Sequence, residues 1–249
     1  MRMFNIQGII DRRILLNYRV EPAALAAQLP APFRPQVINN WGIAGVCLIR
    51  LRDVRPSWMP GFCGLGSENA AYRTAVEWDT ETGVQQGVFV WRRATSSRLN
   101  AIAGGRVFPG VHSHREFAVK ETERTFNVSV AESAHALPEL AVETKLSSKF
   151  ESVVFRSFQR ATACICCDAI GYSPDRSGRT FEGLHLELHD PKSESLEVTA
   201  LRSEFFEDED RFPRGTAHFD HAVLMRGVHH RWISQPNLSA TNSQEVCHT

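Results

Sequence analysis

Lysine is scarce in this chain. Of 249 residues only Lys120, Lys145, Lys149 and Lys192 are lysines, and arginine carries the remaining positive charge. Lys plus Arg and Asp plus Glu both number 28, so the formal net charge is zero. A nucleic-acid partner, which normally demands a basic excess, is not expected. No apolar run approaches the ~20 residues of a membrane span, so no membrane association is expected either. The opening stretch, "MRMFNIQGIIDRR", is apolar over too short and too interrupted a length for a signal peptide. The six cysteines, at 47, 63, 164, 166, 167 and 247, do not have the spacing of a secreted disulfide framework. These absences together point to a cytoplasmic protein with reduced thiols. Phosphate loops and dinucleotide fingerprints are missing too: neither "GLG" (64–66) nor "AGGR" (103–106) leads into one. No serine sits in a G-x-S-x-G elbow. No cofactor is expected.

What is present reads as a β-rich globular chain. The hydrophobic content is 43% and the charged content 22%, ordinary for a soluble fold. Strands are expected over 42–54, 70–79, 87–93, 183–190 and 195–206, with two more within 115–133. Helices are expected over 21–30, 95–106 and 157–170, the last capped by Ser157 and ended near Gly171. Residues 218–232 fit either helix or extended strand. There is no β-α-β-α alternation, which argues against a doubly wound sheet. The expectation is one domain over 1–233, a mainly β (α+β) closed antiparallel barrel with a few peripheral helices, followed by a polar tail over 234–249.

Three clusters could carry chemistry. "CICC" (164–167) places Cys164 and Cys167 on one face of a helix, where core packing is the simpler reading and no metal is expected. Histidines come in pairs, among them His112 and His114, which share a face if 112–114 is a strand and so could grip one metal ion. In "SENAAYR" (67–73), Glu68 and Asn69 stand where a Gly-rich loop enters an apolar strand, and Arg73 follows on the Asn69 face. "VWRR" (90–93) adds Arg92 and Arg93 from the neighbouring strand. Carboxylate, amide and guanidinium groups converging on one mouth would orient a small polar ligand.

The stretches "NYRVEPAALAAQLP", "VRPSWMPGFCGLGSENAAYRTAVEW" and "GVFVWRRATSSRLNAIAGGRVF" resemble the YqjF-like family, a family of domain of unknown function 2071. So do "GYSPDRSGRTFEGLHLEL" and "RSEFFEDEDRFPRGTAHFDHAVLMRGVHHRW" in the second half. The resemblance spans roughly residues 8–232. It implies the acetoacetate decarboxylase-like fold, a cone-shaped β-barrel with its pocket inside. It also implies a reference mechanism, in which one lysine forms a Schiff base with the substrate ketone and a second lysine lowers its pKa. In "GRVFPGVHSH" (105–114), Gly105, Arg106 and Gly110 match the family's motif, and the paired lysines fall on Ser113 and His114. Glu68 falls near the glutamate that works beside the amine.

With no lysine at the motif, the expected function is a small-molecule pocket without imine chemistry. It would act as a lyase or isomerase on an oxo or carboxylate compound. Glu68 and His114 are the candidate acid/base groups. Asn69, Arg73, Arg92, Arg93, His112 and Ser113 are the candidate ligand-binding residues. Two alternatives stay open: a non-catalytic binding or accessory protein, and a metal-dependent enzyme using His112 and His114. A homo-oligomer is the default for a soluble protein of this kind.

Overall fold

The computed structural model describes residues 5–60, 64–103, 110–165 and 169–240. Four long strands open the chain: β1 (Asn5–Val20), β4 (Trp41–Pro56), β5 (Leu65–Thr80) and β6 (Gly83–Thr95). Between the first two lie helix α1 (Pro22–Ala26) and two short strands, β2 (Arg34–Pro35) and β3 (Val37–Ile38). Then come α2 (Arg98–Ala103), β7 (His112–His114), β8 (Glu116–Glu121), β9 (Thr125–Ala131) and β10 (Leu140–Leu146). The last third holds α3 (Phe158–Ile165), β11 (Ala169–Pro174), β12 (Thr180–His189), β13 (Ser193–Ser203), α4 (Glu204–Glu207) and β14 (Ala217–Ser239). The chain is mainly β, as its succession of short β-prone runs leads one to expect. Among the described residues no helix is long and apolar enough to cross a membrane.

All strands belong to one sheet. Its pairings run β1–β4–β5–β6–β11–β12–β14, and β14 pairs back with β1. A branch leaves β14 through β13 and continues to β10, β9 and β8. The expectation of a purely antiparallel sheet needs correction, because β6 pairs in parallel with both β11 and β7. Strand β14 also differs from the sequence reading. It takes up the undecided stretch 218–232 as strand and stays paired to Ser239↔Thr180, so residues 234–239, read as tail, are sheet. Helix α3 stops at Ile165 and β11 starts at Ala169, where a helix to 170 was expected. Ser157 Oγ does accept from Arg160 N, as its capping role requires. Cys164 is half-buried and packs on the core, whereas Cys166 and Cys167 lie outside the described residues.

The long strands bury both faces, so each needs its own cover. One face is covered by the branch: Ile14, Leu16, Tyr18, Val46, Leu48 and Tyr72 pack with Phe126, Val128, Leu140, Val142 and Phe206. The other is covered by α3 and the segment before it: Leu15, Ile43, Cys47, Ala75, Val223 and Met225 pack with Val154, Phe155 and Ala161. These are called the branch-side and helix-side faces below. An aromatic knot extends the branch-side packing to β11 and β12, with Phe33 touching the rings of Trp78, Phe89, Tyr172 and Phe181.

Candidate functional site

Strand alternation decides which polar side chains meet, since residues directly opposite each other point to the same face. Three rows of register partners cross the helix-side face. The first is His221, Asn17, Gly45 and Arg73. The second is Leu15, Cys47, Ala71, Arg93 and His112. The third is Arg13, Ile49, Asn69, Thr95 and His114. Arginine, amide, imidazole and thiol groups are therefore set in an otherwise apolar surface.

Small residues give the long ones room. Gly45 separates Asn17 from Arg73, and a Cβ there would stand 2.1 Å from the Leu16 carbonyl oxygen. Across that gap Arg73 Nη2 donates to Asn17 Oδ1 at 3.1 Å. Ala71 likewise separates Cys47 from Arg93. Arg13 Nε donates to Cys47 Sγ at 3.4 Å. Arg93 donates through Nε and Nη2 to Ser173 Oγ on β11, at 3.1 and 3.0 Å. Burial pulls the Arg93 guanidinium down to about 10, although Cys47 and Glu182 act in the other direction. Among the described residues no carboxylate lies within ion-pair distance of it.

His112 sits beside Arg93 at the end of the second row. Its Nδ1 lies 3.1 Å from Gly110 O, and a carbonyl only accepts, so Nδ1 carries the proton and Nε2 offers a lone pair. Burial and the neighbouring Arg93 charge pull its pKa to about 4, which leaves a neutral imidazole at pH 7. Gly110 takes a positive φ of 77° in this turn, and its N–H donates to Glu182 Oε2 at 2.7 Å. His114 keeps the same face two residues on, and Ser113 is exposed on the other.

The first row ends in a hydrogen-bonded chain. Asn17 Nδ2 lies 3.3 Å from His221 Nε2, and His221 Nδ1 lies 2.7 Å from Asp220 Oδ2. Asp220 also accepts from Val153 N at 2.9 Å and from Ser152 Oγ. Burial pushes the Asp220 carboxyl up, but hydrogen bonds from His221 and Ser152 outweigh it and hold the group below the usual carboxylate range. A β-bulge makes this possible: His221 pairs with Asn17 and Phe219 with Tyr18, so Asp220 is the extra residue.

The proposed residues are thus split. Asn69, Arg73, Arg93, His112 and His114 share the helix-side face. Glu68 and Arg92 do not join them, because each is one residue out of phase. The Glu68 carboxylate takes hydrogen bonds of 2.6 Å from both Arg12 and Arg50 on the branch side. Arg92 lies 4.2 Å over the Tyr72 ring, also on the branch side. Gly105 and Arg106 lie outside the described residues. Arg13, Asn17, Cys47, Ser173, Glu182 and His221 were missed by sequence reasoning. Their one signal was polar residues inside apolar runs, as in "RRILLNYRV". Among the described residues no group of three His, Cys, Asp or Glu side chains is placed to hold a metal ion. All four lysines are exposed.

Residues 10–166 match the model of family DUF2071, described as an uncharacterized conserved protein. The chain belongs to this family. No curated protein matches it. Solved structures place the DUF2071 chain among acetoacetate decarboxylase-like folds. Acetoacetate decarboxylase from Legionella pneumophila aligns with a TM-score of 0.60 at 11% identity, over 96% of this chain and 88% of that one. An acetoacetate decarboxylase-like enzyme from Sphingomonas wittichii gives 0.59 at 11%, over 96% and 94%. The enduracididine biosynthesis enzyme MppR, complexed with pyruvate, gives 0.55 at 10%, over 96% and 91%. Identities this low establish a shared fold for the DUF2071 chain and nothing more.

Proposed function

We propose that the helix-side face lines the lumen of a closed barrel and binds a small compound carrying a carboxylate beside an oxo group. Its chemistry is proton transfer, as in a lyase or isomerase, and not imine formation. The path of strand pairings that returns to β1 supports the closed form. Arg93 carries the ligand assignment: a half-buried guanidinium whose hydrogen bonds, among the described residues, go to a neutral hydroxyl is short of an anion. A planar carboxylate fits its fork. Arg73 and Asn69 would hold the rest of the molecule from the adjoining rows.

His112, the register partner of Arg93 on β7, would be the proton acceptor for that anion. Arg93 helps depress its pKa, so a bound carboxylate would offset this and return proton affinity to Nε2. Binding would thereby prime the base, with His114 beside it. No lysine shares the face, so a ketone has no amine to condense with there.

Pyruvate is the probe. Its titration should give saturable binding, weakened about tenfold or more by Arg93→Gln, the cost of one charged hydrogen-bonding group. In D2O its methyl protons should exchange faster with the protein than without, and this gain should vanish in His112→Gln. Exchange without acceleration would make the protein a binder only. A borohydride-trapped adduct of acetoacetate on any lysine would overturn the proton-transfer reading, and absence of saturable binding would overturn the ligand assignment.

A further inference from the structure

The β11–β12 hairpin reaches both groups that the proposed chemistry uses. Ser173 and Glu182 stand directly opposite each other in its ladder, so their side chains leave it on one face. Ser173 Oγ accepts from Arg93 Nε and Nη2, at 3.1 and 3.0 Å. Glu182 Oε2 accepts from the Gly110 N–H at 2.7 Å. The Gly110 carbonyl in turn accepts from His112 Nδ1 at 3.1 Å. A backbone N–H only donates and a carbonyl only accepts, so neither direction depends on the protonation of Glu182. One residue, Gly110, thus links the carboxyl group to the imidazole.

Gly110 cannot hold this turn with a side chain of its own. Its φ is 77°, and a Cβ there would stand 2.7 Å from Ser173 Cβ and 3.4 Å from Arg93 Nε. Backbone pairing adds little. Strand β7 is three residues long, and among the described residues β6 meets β11 in only two register pairs. Glu182 supplies the missing hold from 72 residues away.

We infer that Glu182 is a positioning residue for His112: it fixes the Gly110 turn, whose carbonyl keeps the imidazole proton on Nδ1 and so leaves Nε2 to accept one from the ligand. This rests on the reading of His112 as the base of the helix-side site. The role needs reach and not charge. An amide of the same length would serve the Gly110 N–H equally, whereas a carboxylate one methylene shorter would not span the gap. The charge of Glu182 has a separate effect, on Arg93, whose protonated form it favours against burial.

Nitrogen NMR of the imidazoles tests this without a ligand. The wild type should show His112 protonated at Nδ1 and bare at Nε2. Glu182→Asp, which keeps the charge and loses the reach, should mix the two tautomers. Glu182→Gln, which keeps the reach and loses the charge, should restore the Nδ1 form. Pyruvate methyl exchange in D2O is the second readout. Glu182→Asp should lower its maximal rate roughly tenfold and shift half-saturation by less than about twofold. Glu182→Gln should recover most of that rate. An Nε2-protonated His112 in the wild type would overturn the inference with no variant needed. So would a Glu182→Asp protein that keeps the wild-type tautomer, or a Glu182→Gln protein that loses it. Exchange abolished in His112→Gln but untouched in Glu182→Asp would overturn it and leave the base in place. The expected tautomers in a wild type that ignores pyruvate would sink the reading of the site and leave the Glu182 tether standing.

Discussion

His230 shows what a single buried imidazole does to this protein. It is 1% exposed, and among the described residues its ring nitrogens make no well-formed hydrogen bond, only a weak contact with the Gly8 backbone. Gly8 makes room for it: a Cβ there would meet His230 Cε1 at 3.0 Å. Burial first, then the charges of Arg13 and His229, pull its pKa to about 4. His112 is drawn to about 4 for similar reasons. An unfolded histidine titrates near 6.5, so between pH 6.5 and 4 the unfolded chain holds more protons than the folded one. Stability is therefore fully present above pH 6.5 and lost as pH falls toward 4. Urea unfolding at several pH values should give a slope approaching two protons across that window, about 1.4 kcal/mol per pH unit for each. His230→Leu should remove one proton from the slope. A slope of zero above pH 4.5 would contradict the assignment. Carboxylates held low, such as Asp220 and Glu121, add their own losses at the acid end of the window and below it.

Bulges are the features of the strands that sequence could not show. β4, β5 and β6 were readable because each carries an apolar-rich run bounded by Gly- or Pro-containing loops. Strand β1 was not read as a strand, since Arg12, Arg13 and Asn17 interrupt its apolar run. Within it Asp11 is skipped between the pairs Ile10↔Leu51 and Arg12↔Arg50, so Ile10 and Arg12 fall on opposite faces. Arg12 consequently meets Glu68 at 2.6 Å and Glu121 at 2.8 Å on the branch side, at 2% exposure. Glu68 looked like a site residue because pattern alone cannot supply its partner, which lies 56 residues away. The ion-pair network ties the end of β8 to β1 and β4. Replacing Arg12 by Met should destabilise the protein by about 2 kcal/mol, below the usual cost of breaking a buried pair because Arg50 still serves both carboxylates. Chemical denaturation measures this, and pyruvate binding should be untouched, since the network lies on the other face. A binding defect in a folded Arg12→Met variant would mean that the two faces are coupled.

At the scale of the whole molecule, the β6–β11 joint is the thinnest link in the path of pairings that leads from β1 round to β14. Among the described residues only Gly171↔Val88 and Tyr172↔Phe89 are in register there, against pairing with β14 along the whole length of β1. Side chains supply what hydrogen bonds do not, through Phe33 and the four rings around it. Phe33→Ala should cost about 3–5 kcal/mol and open the joint before the rest unfolds. Hydrogen exchange should report this as early loss of protection in residues 83–90 and 169–174, with β1 and β4 still protected. Simultaneous loss everywhere would show that the joint is no weaker than its surroundings. The same strand carries a last consequence, in the bulge at Trp91. Tyr72 pairs with Arg92 and Arg73 with Val90, so Trp91 is surplus to the pairing. A relative one residue shorter at this point would lose the indole packing yet keep Arg93 and Phe89 on their present faces. One two residues shorter would have to turn one of them over. When family members are aligned, a gap here is therefore informative by its length: one missing position is silent for the arginine, and two are not.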